Sequence, residues 1–433
     1  METGSINTPN FGNKKALNYL KPIFIMFCCV VYNDFKSKWI KIMIPIYLYT
    51  IVFLIILIPF CFSKHQVYEG IIVKNQNPIN GLRAILATIV MFSHTYKDLF
   101  IYSGQEWMYT QEKYFEYIGW GNQALNAGKI GVAIFFMISG YLFYSLLEKA
   151  RFDSFLFLKQ RLKRIFPLYF FVITFCVFYN FIALSELNLS DIILPYIKWI
   201  LFFGDDSTLK LMGMTSGVEW TLKLEILMYL TIPVLFLLFH KLKNKLQKHI
   251  LIICSVLLVF FISYILRLYF DFYLDPRAAL CFYVGYFTLD IKNDKLIDFI
   301  KSKTFALISL LFFISALFVS ANNFLYIYLI FACSFIFIAA AKGNDIFGIL
   351  KNKQMQKLGE ISYSIYLVHG VVLFFLMKFA GLFLSFGAAG SFVFIFIHFF
   401  LTFTVSVFTY TYVEQWFNRP HFRSLLLSKF KQL

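Results

Sequence analysis

The sequence contains a succession of apolar segments, each about as long as a lipid bilayer is thick. A transmembrane helix needs about 20 mostly apolar residues. Hydrophobic residues make up 60% of the 433 residues and charged residues only 15%, whereas about a quarter of a soluble domain is charged. We therefore predict an all-α, polytopic transmembrane helical bundle, with ten core spans and one extra N-terminal span. The predicted spans are 40–62, 81–101, 130–148, 165–184, 220–239, 249–267, 273–290, 304–320, 324–341, 358–380 and 389–412.

The predicted organisation has four parts. They are an N-terminal polar or interfacial segment (1–39), an extra transmembrane helix (40–63), a membrane domain (78–416) and a basic cytoplasmic tail (417–433). A further apolar stretch, 192–203, is too short to span and is either interfacial or re-entrant. We expect no cleavable signal peptide, because the N-terminal apolar stretch lacks a small-residue cleavage site.

The basic residues indicate the orientation of the chain in the membrane. The net charge is +17, and it is concentrated in short loops between the spans, at 149–164, 240–249, 291–303 and 342–357. Such loops remain on the cytoplasmic side of a membrane, where they face anionic lipid. This pattern argues against nucleic-acid binding and places residue 81 near the cytoplasm. The extra span then puts the basic N-terminus outside, so the N-terminal topology stays open.

Arg83 and His94 lie within one apolar segment, 82–101. Ionisable residues inside a membrane span are costly, roughly 2.5–3.5 kcal/mol for arginine on insertion scales, and suggest a functional site. Eleven helical steps bring the two side chains to within roughly 20° of each other and about 16 Å apart along the axis. Either they are structural, a snorkelling arginine and a hydrogen-bonded histidine, or they belong to a site with Arg83 at its cytoplasmic mouth.

Two further segments combine small or cationic residues with apolar ones. Gly131, Ser139 and Gly140 interrupt a bulky helix, either for close helix packing or along a substrate path. Arg161 and Arg164 share a helix face three residues apart. Paired guanidinium groups suit a phosphate ligand, although they also suit lipid headgroups.

The last polar groups open two later spans. Glu225 lies one turn inside a span and must be paired or functional, with Tyr229 on the same face. A polar patch that either lines a cavity or bonds neighbouring helices comprises Ser362, Tyr363, Ser364, Tyr366 and His369. The seven cysteines form no CxxC pair, and we expect neither disulfides nor a metal site. The remaining histidines, His398 among them, are interpreted as loop or packing residues.

Five motifs in a fixed order resemble the acyltransferase-3 family of integral membrane acyltransferases. They are NGLRAILATIVMFSH, GVAIFFMISGYL, RLKRIFPLY, WTLKLEILMYLTIP and LGEISYSIYLVH, and the resemblance covers residues 78–416. The family positions fall on Arg83 and His94, Ser139 and Gly140, Arg161 and Arg164, and Trp220 and Glu225. The chain departs from the family at Ala133, where an acid often follows Gly-Val. It also lacks an SGNH esterase-like domain, so we expect no two-step relay within this chain.

The resemblance implies transfer of an acyl group, most often acetyl from acetyl-CoA, onto a hydroxyl of a cell-surface glycan or lipopolysaccharide. On this interpretation His94 is the general base or acyl carrier, and Glu225 orients or charge-balances it or Arg83. The donor phosphates lie against Arg83, Arg161 and Arg164. Substrate contacts fall to Ser139, Trp220 and Tyr363. The expected partners are the bilayer of the inner or plasma membrane, an acyl-CoA and a glycan or lipid-linked saccharide.

Proteins of other classes also bury charges in a membrane. A transporter or flippase of lipid-linked glycans is the main alternative, but it would show pseudo-repeated halves with interrupted helices, and the sequence shows no such symmetry. An unrelated membrane-bound O-acyltransferase uses a histidine in a late apolar segment, a place His369 occupies. The Arg83/His94 pair on the first core helix favours the acyltransferase-3 interpretation.

Overall fold

The apolar segments of the sequence fold into successive helices. The computed structural model describes residues 68, 71–73, 76–102, 121–183, 189–204, 209, 211–270, 275–318 and 325–418. The helices are α1 (Pro78–Tyr102), α2 (Gly121–Tyr144), α3 (Ser154–Ala183), α4 (Leu189–Ile200), α5 (Leu211–Thr215), α6 (Glu219–Phe239), α7 (Lys245–Phe270), α8 (Arg277–Leu289), α9 (Asp294–Lys301), α10 (Lys303–Leu317), α11 (Leu325–Ala341), α12 (Lys353–Glu360), α13 (Ser362–Met377), α14 (Ala380–Leu384), α15 (Gly387–Thr409), a π-helix (Tyr410–Glu414) and α16 (Gln415–Asn418). No strand occurs in these described ranges.

The predicted all-α bundle is confirmed. Each span predicted from residue 81 onward coincides with a helix or a bent pair of helices, and the short stretch 192–203 coincides with α4. Over the described residues, five helices are long and apolar enough to cross a membrane, or up to seven when each bent pair counts as one span. The total number of spans therefore stays a prediction. The N-terminal segment 1–39 and the extra span 40–62 lie outside the described residues.

The outer surface of the bundle is apolar. On α7, large side chains such as Leu257, Phe261 and Leu268 are each more than half exposed. A surface of this kind is unfavourable in water and favourable against lipid chains. The apolar helices and this surface together define a multi-pass membrane protein.

Two bent pairs redirect the chain. The axes of α9 and α10 differ by 68°, and those of α12 and α13 by 67°. Each second helix begins immediately after its bend. Ser302 caps α10 by accepting a hydrogen bond from the amide of Phe305. The break at Ile361 lets α12 pack against the first turn of α1 while α13 enters the bundle.

The centre of the bundle is built on close helix crossings through glycine. A Cβ atom at Gly140 of α2 would lie 2.4 Å from the carbonyl oxygen of Phe282 in α8. Across the same crossing, a Cβ atom at Gly285 would lie 2.4 Å from the carbonyl oxygen of Met137. Only glycine permits backbones to approach so closely. The α2–α8 contact therefore fixes the rotation of α2 and the direction in which its other residues point.

Candidate functional site

The first turn of α1 is held by α12. The side chain of Asn80 donates a hydrogen bond of 2.9 Å to the carbonyl oxygen of Gln356. A Cβ atom at Gly359 would lie only 2.0 Å from the carbonyl oxygen of Asn80. This close crossing of α1 and α12 explains why Asn-Gly-Leu-Arg and Leu-Gly-Glu occur as a pair of motifs. It also determines where Arg83, three residues beyond Asn80, enters the bundle.

The small residues of α2 serve different purposes on different faces. Gly131 lies against Val90 of α1, and Gly140 lies against α8. Ser139 instead lines a cavity and donates a hydrogen bond of 3.2 Å to Glu225 of α6. The two interpretations of this motif thus apply to different residues, with packing at the glycines and a cavity at the serine.

A cavity of about 100 Å³ lies between five helices of the bundle. It brings together residues that are far apart in the sequence. Of the residues predicted to form the site, those that line it are Arg83, Ser139, Arg161, Arg164, Glu225 and Tyr363. Tyr229 and Tyr366 also line it. Residues from α1, α2, α3, α6 and α13 therefore share one cavity.

The charge of the cavity is positive. Three guanidinium groups, from Arg83, Arg161 and Arg164, line it together with the single carboxylate of Glu225. Within the described ranges, none of the three arginines forms an ion pair with a carboxylate. The Nε atom of Arg161 is buried and has no hydrogen-bond partner there. Buried donors of this kind are normally satisfied, so the arrangement suits an anionic ligand.

Aromatic rings hold Arg161 in place. Its guanidinium carbon lies 5.1 Å from the centre of the Phe143 ring and 5.6 Å from that of Phe157. Cation–π contacts of this length attract the charge without using its hydrogen-bond donors. The donors of Arg161 therefore remain available to a ligand in the cavity.

A π-helix and a buried carboxylate lie near two of the cavity arginines. Glu414 lies in the π-helix and is buried, and the hydroxyl of Ser364 donates a hydrogen bond to it. Arg83 and Arg164 are within electrostatic range of this carboxylate. Single π-helical turns are frequent at functional sites because they rotate side chains out of the regular helical register.

His94 does not line this cavity and lies in a histidine cluster beside it. The ring of His94 faces the ring of His369 on α13, with centroids 5.1 Å apart. The His369 ring lies in turn 6.1 Å from the ring of Tyr366, which lines the cavity. The Nδ1 atom of His94 and the Nε2 atom of His369 are both buried without a hydrogen-bond partner. One aromatic ring thus separates the arginine cavity from the two histidines.

His398 on α15 joins this cluster, although the sequence interpretation treated it as a packing residue. Its Nε2 donates to the carbonyl oxygen of His369 at 3.1 Å, and its Nδ1 contacts the hydroxyl of Thr95 at 2.8 Å. It therefore connects the helices that carry His94 and His369. The signal for it was present in the sequence, because an ionisable residue in an apolar span suggests a functional site by default.

Trp220 also lies outside the cavity. It is 38% exposed, and its ring packs edge-on against Phe136, with centroids 6.1 Å apart. Phe136 itself lines the cavity. Trp220 thus reaches the cavity only through another ring.

Fold and site define a multi-pass membrane protein with a buried cationic cavity beside a histidine cluster. The family model described as an acyltransferase domain matches residues 77–411. The chain belongs to this acyltransferase-3 family, and the protein is a membrane acyltransferase. Comparisons with curated proteins and with solved structures gave no match.

Proposed function

We propose that this protein transfers an acetyl group from acetyl-CoA onto a hydroxyl of a cell-surface glycan or lipopolysaccharide, in the inner or plasma membrane. The observation that carries the proposal is the cavity lined by Arg83, Arg161 and Arg164, beside which the rings of His94 and His369 face each other. The acyl donor and the saccharide acceptor are its two substrates, and the proposed chemistry needs no metal.

The three arginines bind the phosphate groups of the donor. Coenzyme A carries phosphate groups, and guanidinium groups bind phosphate through paired, charge-assisted hydrogen bonds. The unpartnered Nε atom of Arg161 is one donor for such a bond. The cavity volume of about 100 Å³ is well below the roughly 300–1,000 Å³ of pockets that hold a whole ligand. We therefore expect the cavity to take one part of the donor only.

His94 supplies the base. Imidazole titrates near neutral pH and contributes typically 10²–10⁴-fold as a general base. His94 takes the hydroxyl proton as the acceptor oxygen attacks the thioester carbonyl, and it returns that proton to the sulfur as the carbon–sulfur bond breaks. In a second form of the reaction, the His94 nitrogen attacks the thioester carbonyl and the coenzyme A thiolate leaves as the carbon–sulfur bond breaks. The acceptor hydroxyl then attacks the acyl-imidazole, the carbon–nitrogen bond breaks, and the hydroxyl proton passes to the thiolate.

Glu225 serves this reaction from the wall of the cavity. Its carboxylate accepts a hydrogen bond from Ser139 and lies within electrostatic range of Arg83. Its negative charge therefore attracts the guanidinium groups of Arg83 and Arg161 and favours one orientation of them in the absence of a ligand. Tyr363 is fixed beside it, because its hydroxyl donates a hydrogen bond of 2.8 Å to the carbonyl oxygen of Ile165.

The test is acetyl transfer from labelled acetyl-CoA to surface glycan extracted from cells that lack the gene. We expect His94→Gln to lose transfer by about 10²-fold or more and Arg83→Ala mainly to raise KM for acetyl-CoA. Arg151→Ala is the matched control, because Arg151 is exposed and does not line the cavity. Full activity of a folded His94→Gln protein refutes the role of His94. Absence of transfer by the wild type to any surface glycan refutes the proposed acceptor.

A further inference from the structure

His94 and His369 each have one ring nitrogen that is buried without a hydrogen-bond partner among the described residues. The two atoms are Nδ1 of His94 and Nε2 of His369. The His369 side chain is fully buried, so bulk water does not reach it. Leaving a polar atom unsatisfied in this way is costly.

The separation of the two rings is that of a hydrogen-bonded pair. A bond of about 2.9 Å between two ring nitrogens places imidazole centres about 5 Å apart. The observed centroids are 5.1 Å apart, with the ring planes inclined at 58°. The centroid distance therefore leaves room for one hydrogen bond between the two rings.

The backbone of α13 determines which nitrogen of His369 carries the proton. Nδ1 of His369 lies 3.1 Å from the carbonyl oxygen of Ile365. A carbonyl oxygen only accepts, so Nδ1 is the donor, and in the neutral ring Nε2 is an acceptor. A partner that meets this Nε2 atom must donate a proton to it.

We propose that His369 is the positioning residue of His94, accepting a hydrogen bond from Nδ1–H of His94. This bond selects the tautomer in which Nε2 of His94 has its lone pair free. That lone pair takes the hydroxyl proton or the acyl group, and the positive charge on His94 is stabilised by the His369 acceptor. The proposal rests on the proposed function of His94 and adds the residue that makes its reactive nitrogen available.

His398 holds the partner in place. It donates from Nε2 to the carbonyl oxygen of His369, so in the neutral ring its Nδ1 is an acceptor. The hydroxyl proton of Thr95 has two acceptors within reach, this Nδ1 at 2.8 Å and the carbonyl oxygen of Met91 at 2.9 Å. Thr95 follows His94 in the chain. The distance between the helices that carry His94 and His369 is thereby fixed from a third helix, as the proposed bond requires.

The kinetic test compares two variants of His369, one without a hydrogen-bond acceptor and one with it. His369→Leu removes the acceptor, whereas His369→Gln places an amide oxygen near the position of Nε2. We expect the leucine variant to lower kcat by about 10²-fold or more, as loss of an orienting acceptor does in other histidine bases, with KM for acetyl-CoA unchanged. The kcat of the glutamine variant should be at least about tenfold higher than that of the leucine variant. The matched control is His249→Gln. His249 lies on α7 and contacts Asp290 at the end of α8, and its variant should have the kcat of the wild type.

Three kinetic results would contradict the role proposed for His369. Wild-type kcat in His369→Leu, or a glutamine variant as slow as the leucine variant, overturns the proposal. So does a rise in KM for acetyl-CoA as large as the fall in kcat, because that indicates a structural role.

A second measurement depends neither on the His369 variants nor on the acceptor. Nitrogen-15 NMR of the labelled wild type, with the His94 signals assigned by comparison with His94→Gln, reports which ring nitrogen carries the proton. We expect Nδ1–H at neutral pH, and an Nε2–H ring overturns the proposal. If the wild type transfers no acetyl group while His94 is an Nδ1–H ring, the proposed function fails and the pairing stands.

Discussion

The hydroxyl of Ser139 donates a 3.2 Å hydrogen bond to the carboxylate of Glu225 and joins α2 to α6 at the wall of the arginine cavity. Tyr229, one turn further along α6, lines the same cavity. Glu225 is thus oriented by a hydrogen bond from α2, and its negative charge opposes that of an anionic ligand in the same cavity. The predictions below follow from this cavity and from the contacts that build it.

Glu225→Gln tests two effects of the Glu225 carboxylate, its orientation of the arginines and its repulsion of the donor phosphates. We expect kcat to fall by about tenfold or more, because the carboxylate no longer orients the arginines. KM for acetyl-CoA should stay constant or fall, since a charge that repels the donor phosphates has been removed. Steady-state kinetics of the purified protein measures both. The control is Glu148→Gln, at a half-exposed residue 3.7 Å from Lys292, and a rise in KM for Glu225→Gln alone contradicts the prediction.

Arg161→Met and Arg164→Met should each weaken binding of coenzyme A. A hydrogen bond to a charged group contributes about 1.5–3 kcal/mol, which corresponds to roughly 10–100-fold in the dissociation constant. Isothermal titration with coenzyme A, and with pantetheine, which lacks phosphate, measures the effect. The variants should lose affinity for the first ligand and not for the second. Arg151→Met serves as the exposed control, and equal affinities in all of these proteins refute the phosphate role.

Gly359→Ala should destabilise the protein. The added methyl group falls 2.0 Å from the carbonyl oxygen of Asn80, a backbone atom that moves only with its helix. Overpacking of this kind costs typically about 1–3 kcal/mol. Thermal unfolding in detergent should show a lower Tm. Gly213→Ala is the matched control, because no atom lies within 4 Å of a Cβ atom there, and equal Tm values for both variants exclude a tight crossing.

His398→Leu should lower stability because it removes two buried hydrogen bonds. The carbonyl oxygen of His369 and the hydroxyl of Thr95 lose the ring that bonds both, although the hydroxyl keeps the carbonyl oxygen of Met91 as its acceptor. A hydrogen bond within a protein contributes about 0.5–1.5 kcal/mol. The same thermal assay checks this, with His240→Leu as a control at an exposed histidine. The prediction fails if the two leucine variants unfold at the same temperature.

The sequence determined the class of fold because bilayer thickness imposes a length and a composition that can be read residue by residue. The spans from α1 to α15 and the arginines on one face of α3 were predictable for this reason. So was the set of motifs that identifies the family, since each motif is local.

Only the tertiary structure decided which of these residues meet. Spacing along α1 placed Arg83 and His94 on one stripe, but the crossing of α12 at Gly359 and the bend before α13 determine what each of them faces. Arg83 thereby lines the cavity with Glu225, while His94 faces His369 beyond Tyr366. Such partners are separated by more than a hundred residues, and helical periodicity specifies a face of one helix without specifying the helix that packs on it.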